Sequence, residues 1–211
     1  MTLSLNEVEA TAKKATRGAG YPWGLAEDAG KAVRWLCAQG AGGCEALAVM
    51  LRRFDGAPLA DIGPVTALSE WAAPGGTLCP LMTGTALSDR ARDVERKPIR
   101  AREVVAPEIL FAFAANVAAH CKREMTLSWP GGTAITDGAR LCLQGEAPGQ
   151  TAAWVRLECG GTLTSPVQTA TRADPQTWAW DALNAFAHRT YAPATEESRL
   201  KGAGAGTKDM D

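Results

Sequence analysis

Arg17, Trp23 and Glu27 fall within one short stretch, Arg17-Gly18-Ala19-Gly20-Tyr21-Pro22-Trp23-Gly24-Leu25-Ala26-Glu27, between two predicted helices. Glycine-rich backbone lets a ligand approach peptide N–H groups, and the helix that follows turns its positive end toward an anion. Arg17 adds a guanidinium suited to a carboxylate or phosphate. Glu27 and Asp28 oppose this, because they already place negative charge at the same helix end. The structural alternative is a helix–helix corner with Trp23 packed inward. A second polar stretch, residues 188–199, offers Tyr191, Glu196, Ser198 and Arg199 just after the last amphipathic helix. Tyr191 could orient a substrate or serve as an acid. Its structural alternative is local capping, with Thr195 starting a short turn.

Other chemistries have weaker footing. Gly202-x-Gly204-x-Gly206 has the wrong spacing for a dinucleotide fingerprint, and only five residues follow it. His120 and His188 are the only histidines, and no C-x-x-C or H-x-x-x-H pattern is present, so neither a metal nor a cofactor is expected. Asn116 and His120 share a helix face, most simply as a local hydrogen bond. Cys159-Gly160-Gly161, or Cys121, could present a thiol to a distant histidine, as a Cys-dependent hydrolase requires. No G-x-S-x-G elbow occurs. The run from Ser88 to Arg102 carries six basic and four acidic residues in the span 89–103 and no aromatic, and reads as an exposed, salt-bridged loop.

These residues must be held by a chain of 211 residues, enough for one domain with a sizeable core. A net charge of −1 provides no general attraction to nucleic acid or anionic membrane, and no apolar run approaches the ~20 residues needed to span a bilayer. The start lacks the basic and apolar regions of a signal peptide, so a cytoplasmic protein is expected, with six reduced and mostly buried cysteines.

Ser4 and Glu7 form a capping box for a first helix, with Leu3 and Val8 placed as a hydrophobic staple. A second helix runs from Trp23 to Ala38, and a third over Glu45–Arg53. Val65–Trp71 and Leu78–Thr85 read as strands or irregular buried segments. Pro107 opens an apolar helix reaching Cys121. Alternation then predicts strands at Met125–Trp129, after the Pro130-Gly131-Gly132 turn, at Arg140–Gln144 beyond Asp137-Gly138, and at Ala153–Glu158. Thr162–Thr164 could extend the sheet. Asp174 caps a last helix with Pro175 at its first position. The expected class is α+β, an antiparallel meander packed on one face by helices. Residues 1–55 form an N-terminal helical subregion and residues 56–211 the α+β portion, together one domain.

The stretch Ser4-Leu5-Asn6-Glu7 through Gly20-Tyr21-Pro22-Trp23-Gly24-Leu25-Ala26-Glu27, with Arg34-Trp35-Leu36, resembles a bacterial family known only as a domain of unknown function. The tail Arg189-Thr190-Tyr191-Ala192-Pro193-Ala194-Thr195-Glu196-Glu197-Ser198-Arg199, with Gly202–Gly206, is similar to part of the same family. The resemblance implies a bacterial source and no particular activity. The residues themselves point to binding of a small anionic metabolite through Arg17 or Arg199, with enzymatic activity left open. The rival is a structural or accessory subunit, open to homo-oligomerisation, that uses a Trp-rich surface and the glycine-rich tail.

Overall fold

The structure, a computed structural model, describes residues 2–67 and 70–191. Glu196, Ser198, Arg199 and the glycine-rich tail lie outside the described residues. In chain order the elements are β1 (Leu3–Ser4), α1 (Leu5–Gly18), α2 (Trp23–Ala38), α3 (Gly43–Phe54), α4 (Leu59–Ile62), β2 (Glu70–Trp71), α5 (Pro80–Asp89) and α6 (Ala91–Arg96). Then follow β3 (Ile99–Val105), α7 (Ile109–Cys121), β4 (Met125–Trp129), β5 (Gly132–Thr136), β6 (Leu141–Gly145), β7 (Thr151–Cys159), β8 (Arg172–Ala173) and α8 (Thr177–His188).

The start of α1 follows from its sequence. Ser4 Oγ accepts the Glu7 N–H at 3.1 Å, while Leu3 and Val8 are buried on either side of that turn. Ser4→Ala should therefore cost about 1 kcal/mol. Urea unfolding is expected to show a lower midpoint with an unchanged slope, and an unmoved midpoint would mean that the cap contributes nothing. At its other end α1 crosses α8 so closely that a Cβ on Gly18 would stand 1.8 Å from the Phe186 carbonyl oxygen.

Six strands form one sheet in the order β2-β3-β7-β4-β5-β6, antiparallel except for the β2–β3 pair. Alternation gives the sheet a dry face and a polar one. Ala101, Met125, Leu127, Trp129, Val155 and Leu157 are buried on the side where α3, α6 and α7 pack. On the open face Glu70 pairs with Arg100 at 2.8 Å and Arg102 at 3.0 Å, and Arg100 lies over the Trp154 ring. The α+β class, with helices on one face of an antiparallel-rich sheet, is thus what the chain forms.

Local details differ from the expectation. Leu78–Thr85 is not a strand, because Pro80 starts α5, where its missing N–H costs nothing. Thr83 and Thr85 donate their hydroxyls to the carbonyls of Cys79 and Leu81, which accommodates them in a helix. Ser88–Arg102 is not a loop but the end of α5, α6 and most of β3. Its charges hid an alternation in which Ile99 and Ala101 turn inward while Arg100 and Arg102 turn out. Thr162–Thr164 adds no strand. The last helix starts at Thr177, not after Asp174, and the Gln176 N–H at its cap donates to Glu45 Oε1 at 2.7 Å. Finally, β7 does not continue the meander but returns beside β4, giving the Greek-key order β7-β4-β5-β6. The β6–β7 connection is pinned where the Glu146 N–H meets the Gly131 carbonyl at 2.9 Å and the Trp129 indole N–H donates to the Glu146 carbonyl at 3.0 Å.

Candidate functional site

The first sequence corner and the described part of the second, residues 188–191, both meet α1. Lys13 bonds Glu27 at 2.8 Å and sits over the Trp23 ring, on which Arg17 also stacks at 4.8 Å. Lys14 lies over the Tyr191 ring, and His188 meets the same ring edge-on. Arg17 lies on α1, Trp23 and Glu27 meet it through Lys13 and Arg17, and Tyr191 meets it through Lys14. Their charges, however, have internal partners. Arg17 donates to the Tyr21 carbonyl, and the Lys13 ammonium holds the Glu27 carboxyl below its usual range. Trp23 is 61% exposed and Tyr191 55%, so neither is packed inward. The buried residue of this corner is Tyr21, whose hydroxyl meets the Cys79 thiol at 3.5 Å. At the far side Arg189 forms a two-pronged pair with Asp55, at 2.6 and 2.9 Å, and holds that carboxyl low.

A different place combines concavity with charges that have no carboxylate partner among the described residues. On α3, Val49, Arg52 and Arg53 stand at i, i+3 and i+4, so they share a face. That face borders a cleft of about 510 Å³ whose other walls are Val105 at the end of β3, Gln150 and Thr151 at the start of β7, and Trp178 in the first turn of α8. The β3–β7 ladder sets the floor, since Val105 is paired with Thr151 and the Ala106 N–H donates to the Gln150 carbonyl at 2.8 Å.

A short relay fixes Trp178. Glu45 on α3 accepts the Gln176 N–H, and the Gln176 side-chain carbonyl accepts the Trp178 indole N–H at 2.7 Å. The ring, 38% exposed, then serves as a shelf with the Arg52 guanidinium 5.2 Å above it. Neither Arg52 nor Arg53 has a carboxylate within salt-bridge distance among the described residues, unlike Arg34, Arg100, Arg102, Arg156 and Arg189. The cleft lining carries two positive charges and no acid. Its chemistry is recognition: two guanidinium forks for oxyanion pairs, an aromatic face for a planar or apolar body, and a hydroxyl and an amide for orientation.

Sequence reasoning missed this cleft because Arg52 and Arg53 entered it only as the end of the helix expected over Glu45–Arg53. Their i, i+3, i+4 relation to Val49 was visible, but Trp178 lies far along the chain. The thiol candidates are set for other contacts. The Cys121 thiol is directed at the Ala91 carbonyl at 3.5 Å and burial pushes it up. Among the described residues no hydrogen bond joins Cys121 or Cys159 to either histidine. Among the described residues no group of three or more His, Cys, Asp and Glu able to hold a metal occurs, and none of their helices is long and apolar enough to cross a membrane.

Residues 3–79 match a family described as "Protein of unknown function (DUF3726)". The match takes in α1 to α4, with Arg17, Trp23, Glu27, Arg52 and Arg53, and ends before α5, so it does not extend to the tail. No curated protein matches the chain.

Proposed function

We propose that the protein binds a small anionic metabolite, a carboxylate or phosphate with a flat or apolar body, in the cleft between α3, α8 and the β3–β7 edge. The observation that carries this reading is the pair Arg52 and Arg53, without carboxylate partners among the described residues, beside the fixed Trp178 ring in a concavity of about 510 Å³. A cation over an aromatic shelf can grip the charged end of a ligand while the ring covers its body. The Arg17 corner offers fewer open valences, because its guanidinium already serves the Tyr21 carbonyl and the Trp23 face.

Thermal-shift screening with small phosphates and mono- and dicarboxylates, followed by titration calorimetry on the best hit, tests the proposal. Charge-assisted hydrogen bonds to a guanidinium contribute about 1.5–3 kcal/mol, so Arg52→Ala or Arg53→Ala should each weaken the hit by about tenfold or more. Arg17→Ala should leave its affinity within about twofold. A panel without any stabilising anion, or a hit indifferent to both α3 substitutions, would remove the proposal.

An accessory-subunit role through a Trp-rich surface has less behind it. Trp71 and Trp129 are buried, and the Trp35 and Trp129 indoles donate to internal carbonyls. Of the seven tryptophans, only Trp23 and Trp178 are exposed.

A further inference from the structure

Cys37 in the last turn of α2 and Cys44 in the first turn of α3 bring their sulfurs to 3.9 Å. The backbone N–H groups of Gly43 and Cys44, at the positive end of α3, face the Cys37 sulfur, and the two thiols are in mutual contact, either sulfur being able to donate to the other. This arrangement favours the Cys37 thiolate, and its thiol is held below the usual range chiefly by the Cys44 hydrogen bond. Cys44 is pushed the other way, by that same interaction and by burial. One sulfur is thereby prepared to attack and the other to keep its proton until needed.

Access is ordered in the same sense. Cys37 lines a cavity of about 390 Å³, together with Gly40, Gly42, Arg172 and the acids Glu45 and Asp174, whereas Cys44 is wholly buried. Glu45, the nearest acid in sequence, accepts the Gln176 N–H, and its charge opposes the lowering of the Cys37 thiol without reversing it. The remaining thiols lack this combination. Cys79 is fully buried and pushed up and Cys121 is also pushed up, whereas Cys142 is held low, first by the Ser165 backbone N–H, but has Thr164 and Gln144 beside it and no second thiol in contact.

We propose that Cys37 and Cys44 form a redox-active dithiol that small hydroperoxides entering this cavity oxidise to an intramolecular disulfide. The Cys37 thiolate attacks the terminal peroxide oxygen, the O–O bond breaks, and the leaving alkoxide or hydroxide takes a proton to depart as alcohol or water. Cys37 is then a sulfenic acid. The Cys44 sulfur attacks it, the S–O bond breaks, and hydroxide leaves with the Cys44 proton as water. Two thiols are oxidised by two electrons and one hydroperoxide is reduced. To form the bond the sulfurs must close from 3.9 Å to about 2.05 Å. The cavity shares Glu45 and Gln176 with the relay that holds Trp178, but neither reacting sulfur belongs to the Arg52–Arg53 cleft, so the two proposals are tested separately.

The test treats the reduced full chain with one equivalent of hydrogen peroxide at pH 7, quenches with an alkylating agent, and maps the peptides without reduction. The expected result is a Cys37–Cys44 linkage formed at least about tenfold faster than any other cysteine is oxidised. In Cys44→Ser, Cys37 should accumulate as a sulfenic acid that dimedone captures, and Cys37→Ser should abolish the fast phase. If either variant fails to fold, the map of the unaltered protein decides alone. First oxidation at another cysteine, or no linkage between these two, would overturn the proposal.

Discussion

Gly84→Ala should lower the free energy of unfolding by about 2–3 kcal/mol, although alanine is the better helix former by about 1 kcal/mol. Gly84 lies inside α5 where that helix crosses α7, and a Cβ there would fall 2.1 Å from Phe113 Cδ2 and 2.3 Å from Cγ. No atom pair tolerates such distances, so either the ring or a helix must move. Phe113 is 2% exposed and belongs to the main core, with Leu110 and Val117 on the same buried helix, which leaves it little free space. The gain in helix propensity is therefore smaller than the cost of forcing two packed helices apart. A double variant, Gly84→Ala with Phe113→Leu, should lose less than the sum of the two single changes, because the smaller side chain vacates the position the methyl needs. Chemical unfolding of the four proteins measures this directly. A neutral or stabilised Gly84→Ala would show that α5 and α7 do not meet at this distance in solution.

Features coded by neighbouring residues were legible, and those coded by distant ones were not. The start of α1 needs only Ser4, Glu7 and the residues flanking them. The β4–β5–β6 hairpins likewise need only alternation and two glycine turns. Helix α7 declares itself through an unbroken apolar run after a proline. By contrast β1 and β8 are two residues each, and nothing but their pairing of Leu3 with Ala173 makes them strands. The return of β7 beside β4 depends on which edge of a hairpin is nearer, a choice that periodicity does not encode. The same division governs the site. Arg17, Trp23 and Glu27 drew notice because they are close in sequence, and the structure shows Lys13 and the Tyr21 carbonyl engaging them locally. The cleft at Arg52 and Arg53 is assembled from α3, the β3–β7 ladder and the first turn of α8, so its concavity exists only after folding.

Glu108→Gln should stabilise the protein by about 2 kcal/mol at pH 8 and by almost nothing near pH 4. The Glu108 carboxyl stands at the start of α7 beside a cavity of about 310 Å³ walled by Phe111, Trp129 and Leu143, with Glu146 on the β6–β7 connection bordering the same space. Burial pushes it up to about 7, and the only opposing influence is its own backbone N–H. No ion pair reaches it among the described residues. An unfolded glutamate titrates near 4.3. Between those two values the folded chain therefore holds a proton that the unfolded chain has released. Stability consequently falls as pH rises from about 4.3 to about 7 and stays lowered above it, the reverse of the trend for a salt-bridged carboxylate such as Asp55. The full difference in proton affinity corresponds to about 3–4 kcal/mol, and solvent reaching a half-buried group reduces that to the smaller figure given. Glutamine keeps the shape of the side chain and cannot ionise, so its curve should lack this descent. Asp55, Glu27 and Asp137, whose carboxyls are held low, lose their contributions in acid in both proteins, and the subtraction removes them. Urea unfolding of both proteins from pH 4 to pH 8.5 gives the comparison. A difference that stays constant over that range would mean that the carboxyl is solvated, and that the wall formed by Phe111 and Trp129 does not close around it.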